Sequence, residues 1–188
     1  MNAKITIERL LFFIYNKNRG DTMEFIEITK DDAYEYSKVS SKCWLESYKG
    51  IIDDDFLELI NTEEEIKKQA NRIIENFDDK SLRYLVKDNN QTIGIFRIRI
   101  TKYDIQDAIE LGALYILSDY KKRGIGKNIW EFVINKAKEL GYKKLVVGCL
   151  ANNPSNEFYK HMGAKFLQTN PLTINNKEYI ENVYFYEL

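Results

Sequence analysis

The sequence has few of the residues from which disulfide scaffolds and metal sites are built. Its 188 residues include two cysteines, Cys43 and Cys149, and a single histidine, His161. Two cysteines cannot form a scaffold of disulfides, and no Cys-x-x-Cys spacing is present, so neither a disulfide framework nor a metal site is expected. Free thiols are typical of a reducing compartment, which predicts a cytoplasmic protein.

Long apolar runs and an excess of one charge are also missing. The run LLFFIY at residues 10–15 is far too short to cross a bilayer, and no small-residue cleavage site follows it. The net charge of −1 gives no overall attraction to nucleic acid or anionic lipid, and lysines are interleaved with acidic residues. We therefore expect neither a nucleic-acid partner nor a membrane partner.

The first 22 residues are open to two interpretations. A regular strand pattern, MEFIEIT, begins at Met23. Residues 1–22 are either a helix or strand that docks on the domain, or an extension that results from an early start assignment, with Met23 as the natural start. From residue 23 to residue 188 no repeat, low-complexity tract or linker interrupts the chain, so one domain is predicted there.

The hydropathy pattern after Met23 predicts a mixed α/β fold. Thirteen tyrosines and ten phenylalanines against two prolines favour extensive sheet. The predicted order is one strand, two or three helices, three strands, a helix, a strand, a helix and two strands. This order implies a mostly antiparallel mixed sheet of about six to seven strands with helices on both faces. One parallel pair is expected between the strands that end at Leu117 and Leu150, with a ligand where their carboxyl ends part.

The stretch YKKRGIGKNIW, Tyr120–Trp130, predicts a basic, glycine-rich turn at the start of a helix. It fails the dinucleotide fingerprint, because Ile129 stands where the third glycine belongs, and it fails the Walker A pattern, because Lys121 stands where the first glycine belongs. What remains, a strand, a turn with Gly124 and Gly126, and a helix, suits a pyrophosphate bound by backbone amides. The alternative is an ordinary turn with solvated lysines.

Residues 111–166 resemble the core of the GNAT superfamily of acetyl-CoA-dependent N-acetyltransferases, and the similarity extends over roughly residues 23–188. The family signature is Arg or Gln, two variable residues, Gly, one variable residue, then Gly or Ala. Here Lys121 replaces the Arg or Gln, and Gly124 and Gly126 follow. A second signature is met by a set of four residues spaced as in the family: Asn152, Phe158, Tyr159 and Gly163.

The resemblance implies acetyl-CoA as the acyl donor, without a metal. In the family the pantetheine arm lies along the strand before the turn, and the pyrophosphate rests on the amides of the turn. The helix that begins at Ser155 lines the other wall, with Phe158 packed on the arm. The cofactor-binding residues predicted in this way are Leu114, Tyr115, Ile116, Lys121, Lys122, Arg123, Gly124, Ile125, Gly126, Lys127, Asn152, Ser155 and Phe158.

The resemblance also assigns Tyr159 as the general acid of an acetyl transfer. A neutral amine attacks the thioester, and a phenol within hydrogen-bond reach reprotonates the departing thiolate. A backbone N–H near Ile116 would bind the developing oxyanion. The alternative for Tyr159 is a core tyrosine in an aromatic-rich chain.

Glu110 is the candidate general base, because a carboxylate on this strand often has that role in the family. If Leu111 and Ala113 point one way, Glu110 and Gly112 point the other, and the small Gly112 leaves room beside the carboxylate. A solvated glutamate at a strand end is the alternative interpretation.

The acceptor is expected to be a small-molecule or peptide amine. Trp44 and Tyr48, one helical turn apart, are the predicted substrate-binding residues, although core packing would explain them equally. Glu46 and residues 53–55, three aspartates, would suit a cationic amine such as a polyamine, and they are also typical of a solvated helix start.

Three functions follow from these patterns. The leading one is an acetyl-CoA-dependent N-acyltransferase, the second is a non-catalytic acetyl-CoA or CoA sensor, and the weakest is an ATP-binding protein. The aromatic end YIENVYFYEL further predicts a possible homodimer through pairing with a second copy.

Overall fold

The fold is built on one sheet that carries helices on both faces. The computed structural model of the chain describes residues 11–16, 21–78 and 80–188, with side chains from Met23 onward. The strands are β1 (Leu11–Asn16), β2 (Asp21–Glu27), β3 (Ser81–Asp88), β4 (Gln91–Ile100), β5 (Ala108–Ile116), β6 (Lys144–Leu150), β7 (Lys165–Ile174) and β8 (Lys177–Glu187). The helices are α1 (Ala33–Tyr48), α2 (Asp54–Leu59), α3 (Glu63–Glu75), α4 (Ile125–Glu139) and α5 (Ser155–His161).

The strands follow the order β1-β2-β3-β4-β5-β6-β8-β7. Every neighbouring pair is antiparallel except β5 and β6, so the predicted mixed sheet with one parallel pair is confirmed. Seven of the strands lie after residue 20, and β1 adds an eighth by pairing with β2. The status of residues 1–22 stays a prediction, because residues 1–10 and 17–20 lie outside the described residues.

The two faces of the sheet are covered by different helices. On one face, Trp130 and Val133 of α4 are buried in a large core with Phe96 and Leu111 of the sheet. On the other face, Tyr36 of α1 packs in a smaller cluster. Burial of these side chains, at about 25 cal/mol per Å² of apolar surface, holds both helix layers to the sheet.

The strands β5 and β6 run together only at their amino ends. Their pairing joins residues 108–110 to residues 144–146 and then stops. Because β5 continues to Ile116 and β6 to Leu150, the two strands diverge toward their carboxyl ends, as the sequence predicts. The edge of β5 that faces β6 therefore lacks a strand partner over residues 111–116, within the described part of the chain.

A β-bulge at Gly112 overturns the predicted alternation of β5. Arg97 pairs with Ala113 and Ile98 pairs with Leu111, so Gly112 is the extra residue. As a result Leu111 joins the core under α4, whereas Ala113 packs in the cluster under α1. The prediction that Leu111 and Ala113 point the same way is wrong, because the additional residue of a bulge reverses the alternation beyond it.

The carboxyl-terminal strand lies inside the sheet. β8 is hydrogen-bonded to β6 on one side and to β7 on the other, which leaves β7 as the exposed edge. The aromatic β8 therefore has no free edge for strand pairing with a second copy, and the homodimer stays a prediction. Among the residues that the structure describes, no helix is both long enough and apolar enough to span a membrane.

Candidate functional site

The turn before α4 presents unpaired backbone donors. Gly124 has a φ of +81°, a left-handed conformation that glycine adopts without steric cost, and it directly precedes the helix. The N–H of Asn128 donates to the carbonyl of Gly124, and it is the first in the helix to find such a partner. The amides of Ile125, Gly126 and Lys127 are therefore available to an anion at the positive end of the helix dipole.

The cationic side chains around this turn are largely occupied elsewhere or exposed. The Arg123 guanidinium donates to the carbonyl oxygen of Asp119 at 2.7 Å and lies over the ring of Tyr120. The Nζ of Lys121 lies 3.4 Å from the hydroxyl oxygen of Ser47. The side chain of Lys127 is 65% exposed. The fixed donors at the turn are thus main-chain amides.

Phe158 of α5 closes the site from the opposite side. A Cβ added to Gly126 would lie 3.2 Å from the Phe158 ring, so any larger residue would push the helix and this ring slightly apart. The N–H of Ser155 is taken by the side-chain oxygen of Asn153 at 2.8 Å. Asn152 is exposed and makes no hydrogen bond with the described residues. Its predicted contact with a cofactor stays a prediction.

Asn156 anchors this wall and was not predicted from the sequence. It is 6% exposed, and its amide donates to the carbonyls of Leu150 and Asn153 at 2.8 and 2.6 Å. Its oxygen accepts from the hydroxyl of Tyr184 at 2.8 Å. Its position in the middle of the Asn152–Gly163 signature was the available signal, since a buried polar residue in a helix start needs several partners.

The free edge of β5 presents amide groups toward the gap between β5 and β6. The N–H of Leu117 donates to the carbonyl of Ile93 on β4 at 2.9 Å. Because hydrogen-bonding groups alternate sides along a strand, the N–H groups of Leu114 and Ile116 point away from β4, into the gap. This is the arrangement that an added extended chain requires.

Three tyrosines converge on the same gap from both faces of the sheet. The hydroxyl oxygens of Tyr48 and Tyr115 lie 2.9 Å apart. Tyr159 of α5 is 6% exposed, and its hydroxyl makes no hydrogen bond with the described residues. Burial raises the pKa of Tyr159 well above its ordinary value, and the neighbouring Cys149 and Tyr48 raise it further. Tyr159 is therefore protonated throughout the physiological range, as a general acid must be.

Trp44 extends this aromatic cluster on the α1 side. Its ring lies 5.0 Å from the ring of Tyr48 and 6.3 Å from that of Tyr115, measured between centroids. The predicted substrate-binding pair, Trp44 and Tyr48, therefore packs against Tyr115 at the gap. Tyr48 is also near enough to Tyr159, the predicted acid, to raise its pKa. Burial raises the pKa of Tyr48 to about 12, so this hydroxyl also keeps its proton.

Glu110 has a different setting from the one that the sequence predicts. It is 2% exposed, its carboxylate binds the Arg99 guanidinium at 2.5 Å, and it accepts the N–H of Lys102 at 3.1 Å. The space beside Gly112 is filled, because a Cβ there would lie 2.9 Å from the Nε of Arg99. Glu110 is thus neither solvated nor beside open room. Its role as a base stays a prediction.

Two of the four acidic residues expected to attract a cationic amine have close partners of their own. Glu46 accepts the N–H of Ser118 at 2.7 Å. Asp53 caps α2 by accepting the N–H of Phe56 at 3.1 Å, and it forms an ion pair with Lys177. These contacts account for both side chains, which weakens the expectation of a polyamine acceptor. Within the described ranges, no group of three or more His, Cys, Asp or Glu residues is arranged to hold a metal ion.

Comparison with known families agrees with this geometry. A model described as the acetyltransferase (GNAT) family matches residues 45–164, which is more than half of the chain. No match is found among curated proteins.

Solved structures share the fold at low sequence identity. A GCN5-related N-acetyltransferase from Rhodopseudomonas palustris superposes with a TM-score of 0.68 at 15% identity, over 87% of this chain and 94% of the other. An acetyltransferase from Thermus thermophilus gives 0.62 at 15% identity, over 88% and 97%. The PaiA N-acetyltransferase from Thermoplasma acidophilum, in complex with coenzyme A, gives 0.59 at 18% identity, over 85% and 97%.

Proposed function

This chain belongs to the GNAT family of acetyltransferases, and we propose that it transfers the acetyl group of acetyl-CoA to a primary amine. The observation that carries the proposal is the convergence of three features at one gap. These are the free edge of β5, the unpaired amides at the start of α4, and the hydroxyl of Tyr159, a residue that is 6% exposed.

The residues present fit acetyl-CoA, which supplies an activated thioester. The amides of residues 125–127 suit its pyrophosphate. The N–H of Leu114 suits an amide carbonyl of its pantetheine arm, and Phe158 offers an apolar surface beside it. Coenzyme A is bound in the solved PaiA relative, which supports the same donor here.

In the proposed reaction the amine nitrogen forms a bond to the acetyl carbon, and the bond between that carbon and sulfur breaks. Tyr159 donates its phenolic proton to the departing sulfur, and the amine gives up one proton to a base. The N–H of Ile116 lies on the side of β5 where it can bind the thioester oxygen as negative charge develops there. The paired hydroxyls of Tyr48 and Tyr115, called here the hydroxyl cluster, hold each other in place at the gap.

Glu110 is the proposed base, acting through water because its carboxylate does not line the hydroxyl cluster. Proton uptake by Glu110 would weaken its ion pair with Arg99. This cost makes the role of Glu110 the part of the proposal that experiment can overturn most readily. The proposal also places the protein in the cytoplasm, where Cys43 and Cys149 would stay reduced.

The first experiment measures acetyl transfer by product mass with acetyl-CoA and a panel of amines. The panel spans polyamines, amino acids, aminoglycosides and short peptides. On an amine that reacts, Tyr159→Phe should lower kcat by about 10²–10⁴-fold, the usual contribution of a general acid, while the Kd for CoA measured by calorimetry changes little. Tyr142→Phe is the matched control, since it removes a hydroxyl that has no hydrogen-bond partner among the described residues, on the loop after α4.

Two outcomes would contradict the proposal. CoA binding without acetylation of any amine would favour the sensor. Unchanged kcat in Tyr159→Phe, with acetylation intact, would remove Tyr159 from the mechanism while leaving the acetyltransferase in place.

A further inference from the structure

A cavity of about 320 Å³ lies on the α1 face of the sheet. It is bounded by α1 and α3 above and by β3, β4 and the bulge of β5 below. Its size is at the lower end of the range for small-molecule sites. Its lining includes Trp44 and Tyr115, so it borders the hydroxyl cluster at the gap between β5 and β6.

The lining of this cavity carries positive charge without a compensating acid. Arg72, Arg83 and Arg97 all line it, and no Asp or Glu is among the described residues that do. Arg83 and Arg97 are direct cross-strand partners on β3 and β4. Like charges in that position repel each other, so the pair is stabilised when an anion lies between or above the two guanidinium groups.

Two buried donors in the lining of the cavity lack partners among the described residues, whereas the Arg83 guanidinium donates to the carbonyl of Ser81 at 3.1 Å. The Nε of Arg97 and the Oγ of Ser41 are buried without a hydrogen bond to the described residues. The guanidinium of Arg97 forms no ion pair with the described residues, whereas that of neighbouring Arg99 is neutralised by Glu110. Burial raises the pKa of Tyr36 to about 12, and the charges of Arg97 and Arg83 oppose that rise, so this hydroxyl lies close to both. Buried donors without acceptors call for a ligand that accepts.

The cavity is aligned with the site of reaction. Arg83, Arg97 and Ala113 form one row across β3, β4 and β5, and Ala113 adjoins the bulge. Neighbouring strands lie about 5 Å apart, so an anion over Arg97 is one to two strand spacings, about 5–10 Å, from the gap. A short molecule reaches both places at once.

We infer that the acceptor is a small primary amine that carries an anionic group, in the simplest case the carboxylate of an amino acid. The anion binds Arg97 and Arg83, and the amine points toward Tyr115 and the gap. This inference rests on the proposed acetyl transfer. It replaces the cationic acceptor that the aspartates of α2 had suggested.

The test compares each amino acid with its own carboxamide in the acetyl-transfer assay at pH 8. The carboxamide has nearly the same shape but no charge, and its amine is the weaker base, so more of it is neutral and ready to react. A preference for the acid is therefore due to its anion. We expect kcat/KM for the best acid to exceed that of its carboxamide at least tenfold. Aminoalkylphosphonates form a second arm, and preference for them would identify a phosphonate or phosphate as the anion.

Variants of the cavity sharpen the result. Arg97→Gln should raise KM for the acid at least tenfold and leave kcat within a factor of about three. The carboxamide offers Arg97 only a neutral acceptor, so its kinetics should change much less and most of the preference should disappear. Lys138→Gln, which removes one exposed charge from α4, should leave kcat and KM unchanged for both the acid and the carboxamide. Because Arg97 forms no ion pair with the described residues, the thermal midpoint of Arg97→Gln should not fall, whereas loss of a purely structural arginine would lower it.

A binding measurement separates this inference from the proposed function. Thermal shifts are recorded with each acid and carboxamide in the presence of CoA, for the wild type and for Arg97→Gln. Acetylation of carboxamides as fast as acids would overturn the inference and leave the acetyltransferase standing. Binding of acids that depends on Arg97, without acetylation, would support an anion site in the cavity and contradict the proposed acetyltransferase activity. If the acids are neither bound nor acetylated, both the inference and the proposed acetyl transfer are overturned.

Discussion

The two faces of the sheet offer different kinds of hydrogen-bond donor. On the α4 face, the donors available to a cofactor are main-chain amides of residues 125–127 and of the free edge of β5. On the α1 face, the donors are side chains, chiefly Arg83, Arg97 and Ser41, brought together from β3, β4 and α1.

This difference separates what the fold provides from what the individual sequence provides. A backbone site needs only a turn conformation and a glycine where another chain approaches, so it tolerates changes such as Lys121 in place of the family's Arg or Gln. A side-chain site depends on each residue type and can differ between relatives that share the fold at 15–18% identity. Recognition of the acyl donor therefore depends on features common to the fold, whereas recognition of the amine acceptor depends on the side chains of the individual sequence.

The largest expected effect comes from disturbing the backbone site. Gly126→Val places branched carbons where even a Cβ would be 3.2 Å from the Phe158 ring, so the first turn of α4 or the ring must move. Loss of two charge-assisted hydrogen bonds weakens CoA binding about a hundredfold. Calorimetric titration with CoA measures this, and Gly126→Ala should fall between the wild type and Gly126→Val. Wild-type affinity in a folded Gly126→Val protein would show that these amides do not bind the cofactor.

On the α1 face, Glu110→Gln tests how strongly the side-chain network depends on one carboxylate. The variant leaves the Arg99 charge without its counter-ion in a partly exposed position, which should lower the free energy of unfolding by about 2 kcal/mol. Denaturant unfolding measures this loss. The double variant Arg99→Met with Glu110→Leu is the control, because it removes both charges and should recover most of the stability.

The kinetics of Glu110→Gln decide its proposed catalytic role. A general base contributes about 10²–10⁴-fold, so Glu110→Gln should lower kcat by that factor if Glu110 is the base. A variant that is destabilised but keeps its kcat would make Glu110 the counter-ion of Arg99 and nothing more.

Much of the fold was predictable because local patterns determine it. The alternation in β3 and β4, the helical spacing of α4 and the glycine turn each lie within a short stretch, and the parallel pair follows from a single crossover. The bulge at Gly112 was not predictable, because it depends on how Ala113 and Leu111 register against β4. It reversed the predicted orientation of Ala113.

The candidate site also has one part that was predictable from short stretches of sequence and one part that was not. Tyr159, Phe158 and the turn were found through two short signatures, whereas the arginine cavity joins residues far apart in the sequence. One signal was present: Arg97 and Arg99 alternate with Phe96 and Ile98 in a strand predicted to carry helices on both faces. A cation at a covered position of a sheet indicates a buried polar site, and the inference of an anionic ligand became available only with Arg83 placed opposite Arg97.

The two thiols allow the interiors of the two faces to be compared directly. Burial raises the pKa of Cys43, on α1, and of Cys149, in the core under α4 and α5, from 9.0 to about 12. A raised folded-state pKa gives stability that is complete below pH 9 and is lost as the pH rises above it, because only the unfolded chain readily loses the proton. Because of this ionisation, each thiol should lower the free energy of unfolding by about 1 kcal/mol between pH 8 and pH 10.

Cys43→Ala and Cys149→Ala should each reduce, by that amount, the loss of unfolding free energy between pH 8 and pH 10, as measured by denaturant unfolding at the two pH values. Equal changes would mean that both sides of the sheet exclude water to the same degree. No change in the slope for Cys149→Ala would show that water enters the gap beside Tyr159.

The smallest expected effect concerns the cationic side chains around the turn before α4. Lys127 is 65% exposed, and its nearest acid, Glu131, is 3.8 Å away, so its charge acts on a bound pyrophosphate through screened solvent. Lys127→Ala should weaken CoA binding only about threefold at physiological salt, and the difference should vanish at high salt. Lys138→Ala, on the far end of α4, should have no effect. A loss of more than tenfold that persists at high salt would make Lys127 a fixed donor, and the contrast between a backbone site on one face and a side-chain site on the other would no longer hold.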